Sequence, residues 1–197
     1  EYPVSEDEIG NPKGWTTTCH TLSQIVLEKP SVISETLASH VNDWEYEFWP
    51  AFASYLQFYG LDGLFAFKYT ATSAGYDYLD IPDHLEVSND PAFLTQSMVM
   101  AVAFRKGYIS RVAAGDVQVL AMDDDADQWL RNYHTLTKND IGDYWWDRQN
   151  IPSWVPYVAP IARSFTATED SVRDSLLYAE EDPKVYTNTT GELTLYN

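Results

Sequence analysis

The spacing of apolar and polar residues predicts a well-delimited helix in the first half of the chain. In the segment WPAFASYLQFYG, Phe52, Leu56 and Tyr59 recur at helical spacing and share one face. Pro50 suits the first turn of a helix, and Gly60 can adopt the left-handed conformation that ends one. We therefore expect a helix from about Pro50 to Gly60.

A second helix is marked at both of its ends. Asn89 or Asp90 can cap its N-terminus, Pro91 fits its first turn, and Gly107 follows a basic last turn. The body of this segment, AFLTQSMVMAVAF, is apolar on nearly all sides. This pattern predicts a helix that lies in the centre of the core rather than on its surface.

The other periodic segments are shorter and have different repeats. Apolar positions at helical spacing, separated by Pro30, favour two short helices over residues 21–28 and 31–41. Alternating residues favour strands, and Gly115-Asp116 and Thr190-Gly191 are typical of hairpin turns. The predicted strands cover residues 64–72, 108–114, 117–122 and 161–168 and both sides of Thr190-Gly191, and further helices are predicted from Asp123 and over residues 169–180.

This mixture, without a regular βαβ rhythm, predicts an α+β protein with antiparallel strands or hairpins. A length of 197 residues is close to that of one domain. The first thirteen residues are polar, contain two prolines and have no periodicity. We expect an extended N-terminal arm over residues 1–13 and a single compact domain over residues 14–197.

Composition excludes several classes of function but does not identify a single one. The net charge is −18, and the 12 Lys and Arg residues are scattered, so the chain is not expected to bind nucleic acid directly. No window approaches the roughly 18 apolar residues of a membrane span. The single Cys19 excludes an internal disulfide. The chain begins with Glu1, which indicates a processed piece or an excerpt of a longer product.

Metal, cofactor and nucleophile motifs are weak. The run DDDAD resembles the start of a calcium loop, but Gln128 and His134 occupy positions where that loop needs Gly and Glu. The cluster Asp80, Asp83 and His84 is a residual cation candidate, with a hydrogen-bonded turn as the alternative. Phosphate loops and serine elbows are absent. We predict no metal site, no cofactor and no catalytic constellation.

The segment DYWWDRQNIPSWVPYVAP, residues 143–160, is rich in stiff aromatic residues and proline. Trp and Tyr bury large areas in interfaces, and proline-stiffened loops lose little freedom when a partner orders them. This favours an oligomeric, shell- or coat-like structural subunit that acts through protein–protein contacts. The aromatic segment could instead pack on its own domain. The predicted interface anchors are Trp145, Trp146, Trp154 and Tyr157.

A carbohydrate-active or carbohydrate-binding domain is the alternative. Acidic residues lie between aromatic ones in NDWEYEFW and in GDYWWDRQ. Aromatic faces can stack on sugar rings, and two suitably separated carboxyl groups can act as acid and as nucleophile or base. The residues of this alternative site are Trp44, Glu45, Glu47, Trp49, Asp143 and Asp147.

Overall fold

The structure is a computed structural model that describes Leu22 and residues 25–36, 45–70, 86–121, 155–173 and 185–196. The chain divides into two compact units. The described residues within Pro30–Arg111 form unit 1, and those within Gly10–Lys29 and Val112–Asn197 form unit 2. The sequence predicts one domain over residues 14–197, and these residues fall in both units. The predicted arm, residues 1–13, lies outside the described residues.

Unit 1 begins with a parallel strand pair. Strand β1 (Val32–Thr36) pairs with β2 (Gly63–Ala66), with Val32 opposite Gly63 and Ile33 opposite Leu64. The helix predicted over residues 31–41 is therefore wrong for the first half of that range. Its β-branched residues suit a strand, and a pairing partner about thirty residues further on decides between the two conformations.

The close approach of β1 leaves no space for a side chain at Gly63. A Cβ atom at this position would lie 2.6 Å from Cγ1 of Val32 on the paired strand. Because Val is stiff about its Cα–Cβ bond, it cannot swing away easily. A glycine at position 63 therefore lets β1 and β2 approach to pairing distance. Strand β2 ends at Ala66, well before the predicted end at Thr72.

Helix α1 (Glu45–Tyr59) supplies most of the buried aromatic residues of unit 1. It begins five residues before Pro50, so the predicted start is wrong although the helix itself is confirmed. Gly60, at φ 77°, ends it as predicted, with the Leu61 amide donating to the Leu56 carbonyl at 3.0 Å. Burial raises the pKa of the Tyr55 hydroxyl well above its ordinary value.

Helix α2 (Pro91–Lys106) has the ends that the sequence predicts. The carboxylate of Asp90 accepts a hydrogen bond of 3.0 Å from the Phe93 amide, which is an N-cap. At the other end Gly107 adopts φ 66°, and the Tyr108 amide donates to the Ala103 carbonyl at 3.1 Å. Both ends are fixed by local hydrogen bonds that need no tertiary partner.

Unit 2 contains a second parallel strand pair, β3 (Gln118–Ala121) with β4 (Ile161–Ser164). A 3₁₀ turn (Ala114–Asp116) precedes β3, and residues 108–113 contain no strand. The hairpin predicted at Gly115-Asp116 is therefore wrong. Strand β3 pairs about forty residues downstream instead, where the Gln118 amide donates to the Pro160 carbonyl at 2.7 Å.

Strand β4 is the central strand of unit 2. Beside β3 on one side, it exchanges backbone hydrogen bonds with the chain at Ile25 and Leu27 on the other. A strand with neighbours on both edges has no edge facing solvent, and all four residues of β4 are buried. The strand predicted over residues 161–168 is thus confirmed for its first half. The helix predicted over residues 21–28 is not present at residues 25–28.

The remaining elements of unit 2 are short. Helix α3 (Val155–Val158) precedes β4, and β5 (Val185–Thr187) pairs with β6 (Thr194–Tyr196) as the predicted antiparallel hairpin. Within the turn, the buried side chain of Asn188 accepts hydrogen bonds of 3.1 Å from the amides of Glu192 and Leu193. This Asn begins a glycosylation sequon, and in this fold it stabilises the hairpin.

The α+β class is confirmed by this mixture of helices and small sheets. The expectation of antiparallel strands is wrong for two of the three strand pairs in the described part of the chain, because β1–β2 and β3–β4 are parallel. Residues 169–173 are not helical, and the rest of the helix predicted there lies outside the described residues. The acidic helix predicted from Asp123 also lies outside them.

Candidate functional site

Unit 1 contains a pocket of about 360 Å³ between α1, β2 and α2. Its walls are largely apolar, and three polar side chains, Asp62, Ser97 and Arg105, lie among them. A volume of this size is within the range of small-molecule sites, which combine apolar walls with a few polar groups. The apolar and small lining residues are Trp49, Ala53, Gly63, Leu64, Phe65, Ala66, Met100, Ala101 and Phe104.

Trp49 is the most buried large side chain of this lining, with 5% of its surface exposed. Its ring meets the ring of Phe93 edge-on at 5.1 Å, which fixes the position of the indole between the two helices. The indole Nε1–H is buried and has no hydrogen-bond acceptor among the described residues. Buried donors in proteins nearly always have a partner, so this N–H is an exception that needs an explanation.

The three polar residues of the lining differ in how they are engaged. Asp62 accepts a hydrogen bond of 2.9 Å from the Ser31 amide, and the Ser97 hydroxyl donates to the Leu94 carbonyl at 3.0 Å. Arg105 lies in the last turn of α2, where a cation is stabilised by the helix dipole. Its guanidinium forms no ion pair within the described part of the chain. Among the residues that the structure describes, the pocket thus has a cation without an acidic partner at the C-terminal end of α2.

An exposed apolar stripe runs along α2. Met98, Val99 and Val102 have 65%, 61% and 53% of their surfaces exposed, and Phe93 is the one buried residue of the helix. The predicted position of this helix at the centre of the core is therefore wrong. A helix that is apolar on all sides can bury only the sides that have neighbours, and α1 contacts one side.

Gln57 joins the two helices, and no motif in the sequence marks it. Its side-chain amide donates to the carbonyls of Ala103 and Phe104 at 3.0 and 3.1 Å, and its Oε1 accepts from the Ile109 amide at 3.1 Å. These carbonyls belong to the last turn of α2, where they also accept hydrogen bonds from the amides of Tyr108 and Gly107. The only signal in the sequence is one polar residue within an apolar run, YLQFY.

The predicted interface anchors are only partly described. Trp145, Trp146 and Trp154 lie outside the described residues. Tyr157 lies in α3 and has 1% of its surface exposed. Because its ring is enclosed by its own chain, Tyr157 cannot present it to a neighbouring subunit in this conformation.

The alternative carbohydrate site is also described in part. Trp44, Asp143 and Asp147 lie outside the described residues, and of Glu45 only the helical backbone is described. Glu47 is half-buried on α1. Trp49 is buried against Phe93, so its ring face is not open for stacking on a sugar. Glu47 and Trp49 both lie on α1.

No cluster of metal-ligating side chains occurs among the described residues. The cation candidate Asp80, Asp83 and His84 and the acidic run from Asp123 both lie outside this part of the chain. No helix in the described ranges is long and apolar enough to span a membrane.

Comparisons with protein families, with curated proteins and with solved structures found no match to this chain. The pocket and the apolar stripe of unit 1 are therefore interpreted from their own chemistry.

Proposed function

We propose that the chain is a structural or assembly subunit, shell- or coat-like, that binds further copies of itself through protein–protein contacts. The observation that supports this proposal is the apolar stripe of α2, formed by Met98, Val99 and Val102. Single exposed apolar residues are common, but adjacent ones on one helix face form a patch. Covering such a patch with a second protein surface removes it from water.

The charge distribution of the chain supports a second copy of the same chain as the partner. The chain has a net charge of −18, so copies repel one another at a distance. Next to the stripe, α2 ends in Arg105 and Lys106, which are both exposed. A basic helix end on one copy and an acidic surface on another attract each other at short range. The proposed contact therefore combines an apolar centre with a charged rim, as interfaces generally do.

The aromatic residues Trp145, Trp146 and Trp154 remain predicted anchors of the same assembly. Tyr157 is left out of this set because it is buried. The carbohydrate alternative stays a prediction for Trp44, Glu45, Glu47, Trp49, Asp143 and Asp147. Loss of glycan hydrolysis in a folded Glu47→Gln variant would establish that alternative in place of assembly.

The test is the oligomeric state of the full chain, measured by light scattering and electron microscopy. We expect regular oligomers, and Val102→Glu should weaken association about tenfold or more, because it places a charge in the apolar contact. Val185→Glu is the matched control, since Val185 is also an exposed valine, at 44%, but lies on β5 of unit 2. A chain that stays monomeric at the highest attainable concentration, or a Val102→Glu variant that assembles like the parent, would refute the proposal.

A further inference from the structure

We propose that the apolar stripe of α2 packs against the same stripe of a second copy, with the two α2 helices antiparallel and related by a two-fold axis. A contact of this kind is isologous, which means that one surface is complementary to itself. The inference rests on the proposed function, because the same stripe forms the contact. It adds the orientation, the register and the symmetry of that contact.

The exposed positions of α2 are arranged symmetrically about the middle of the helix. They recur three and four positions apart from its first turn to its last, so they form one continuous face. If the two-fold axis passes between Met98 and Val99, each exposed position of this face lies opposite another exposed position of the second copy. The one other exposed residue of the helix, Ala101, lines the pocket. The outer face of α2 consists of Pro91, Ala92, Thr95, Met98, Val99, Val102, Arg105 and Lys106.

The two halves of the outer face carry side chains of complementary size. In the proposed register, Thr95 lies opposite Val102 of the second copy, and Ala92 lies opposite the aliphatic stem of Arg105 of the second copy. A small residue opposite a larger one lets two helices pack closely, and the charged head of an arginine can still reach water. The Thr95 hydroxyl donates to the Pro91 carbonyl at 2.7 Å, so Thr95 adds no unpaired donor to the contact.

The two cations of the outer face determine the orientation. Arg105 and Lys106 both lie in the last turn of α2, and the outer face contains no acidic residue. In a parallel pair, Arg105 would lie opposite Arg105 of the second copy, and facing like charges oppose association. In the antiparallel pair the two are as far apart along the axis as Ala92 is from Arg105 on one helix, about 20 Å at about 1.5 Å per residue. This separation exceeds the screening length of about 8–10 Å, so charge favours the antiparallel pair.

The first experiment is disulfide cross-linking of full chains in which the single Cys19 is replaced by Ser. Thr95→Cys and Val102→Cys chains, one of them tagged so that their masses differ, are mixed in equal amounts with oxidised glutathione. The mixed dimer should exceed either homodimer at least about tenfold, because a disulfide needs Cα atoms within about 7 Å. Met98→Cys, next to the axis, should form a homodimer by itself. Val185→Cys, at an exposed valine of β5, is the control that should not.

The outcomes separate this inference from the proposed function. Homodimers of Thr95→Cys or Val102→Cys in place of the mixed dimer would show a parallel pair, and they would refute the inference while assembly stands. Association without any of these cross-links would show that α2 contacts a different surface, which also refutes the inference alone. A chain that stays monomeric would refute both.

The second experiment tests the orientation through charge. Ala92→Glu places a carboxylate opposite Arg105 of the second copy at two symmetry-related positions, so the dimer should become roughly two- to tenfold tighter in sedimentation equilibrium. Ala92→Gln is the neutral control, and the gain should vanish when Ala92→Glu is combined with Arg105→Gln. Unchanged or weaker association of the Ala92→Glu chain would overturn the proposed register.

Discussion

Helices α1 and α2 are neighbours of nearly equal length, and both are rich in apolar residues, but their environments differ. α1 buries its aromatic residues almost completely, with Phe48 stacked on Phe52 at 4.8 Å. α2 buries Phe93 and leaves Met98, Val99 and Val102 exposed. The sequence pattern predicts the opposite order, with α2 at the centre. The apolar composition of a helix therefore sets how much of its surface could be buried. The positions of the neighbouring elements decide which side chains are buried in the fold.

The largest expected effect tests this difference directly. Phe52→Ala should lower the free energy of unfolding by about 3–5 kcal/mol, because it leaves a cavity in a fully packed region. Met98→Ala, also a large apolar residue but on the exposed stripe, should change it by less than about 0.5 kcal/mol. Denaturant unfolding of the monomeric chain measures both. Equal losses in the two variants would show that α2 is as buried as α1.

The contact between the helices gives the next largest effect. Gln57→Leu removes three hydrogen bonds and leaves the end of α2 without its side-chain donor. We therefore expect the free energy of unfolding to fall by about 1–3 kcal/mol. Gln96→Leu is the control, because Gln96 lies on α2 and its buried Oε1 has no partner among the described residues. The same denaturant series measures both variants. A Gln57→Leu variant as stable as the parent would show that apolar packing alone joins the helices.

The smallest effect concerns the N-terminal cap of α2. Because α2 buries little apolar surface, its stability depends more on the hydrogen bonds at its ends. Asp90→Ala should therefore lower the free energy of unfolding by about 1 kcal/mol. Asp90→Asn keeps an acceptor oxygen for the Phe93 amide, so it should lower the free energy of unfolding by only about 0.3 kcal/mol. Thermal unfolding followed by far-ultraviolet circular dichroism checks the order. If Asn were as damaging as Ala, the hydrogen bond to Phe93 would not be the stabilising contact.

The predictable part of the fold consists of local features. Asp90, Pro91 and Gly107 define the ends of α2, and Gly60 ends α1, because capping depends on residues within one turn of the helix end. The C-terminal hairpin around Thr190-Gly191 is predicted for the same reason, since its strands are separated only by a short turn.

The candidate site was much less predictable. The acidic neighbours of Trp49 in the sequence favour a sugar-stacking role, and they give no sign that its ring packs against Phe93, which is 44 positions away. The lining of the pocket comes from three elements, and Arg105 had no distinguishing motif. Residue type indicates what chemistry a side chain can perform, whereas a site requires side chains that are brought together across the chain.

The sequence by itself determined the α+β class, both ends of α2, the C-terminal end of α1 and the closing hairpin, because these depend on composition and on interactions a few residues long. The tertiary structure decided that residues 32–36 form a strand, that β3 pairs with β4, and which face of α2 stays exposed. Each of these depends on a partner about thirty or more residues distant, and the gain from that contact exceeds the local preference for helix or turn.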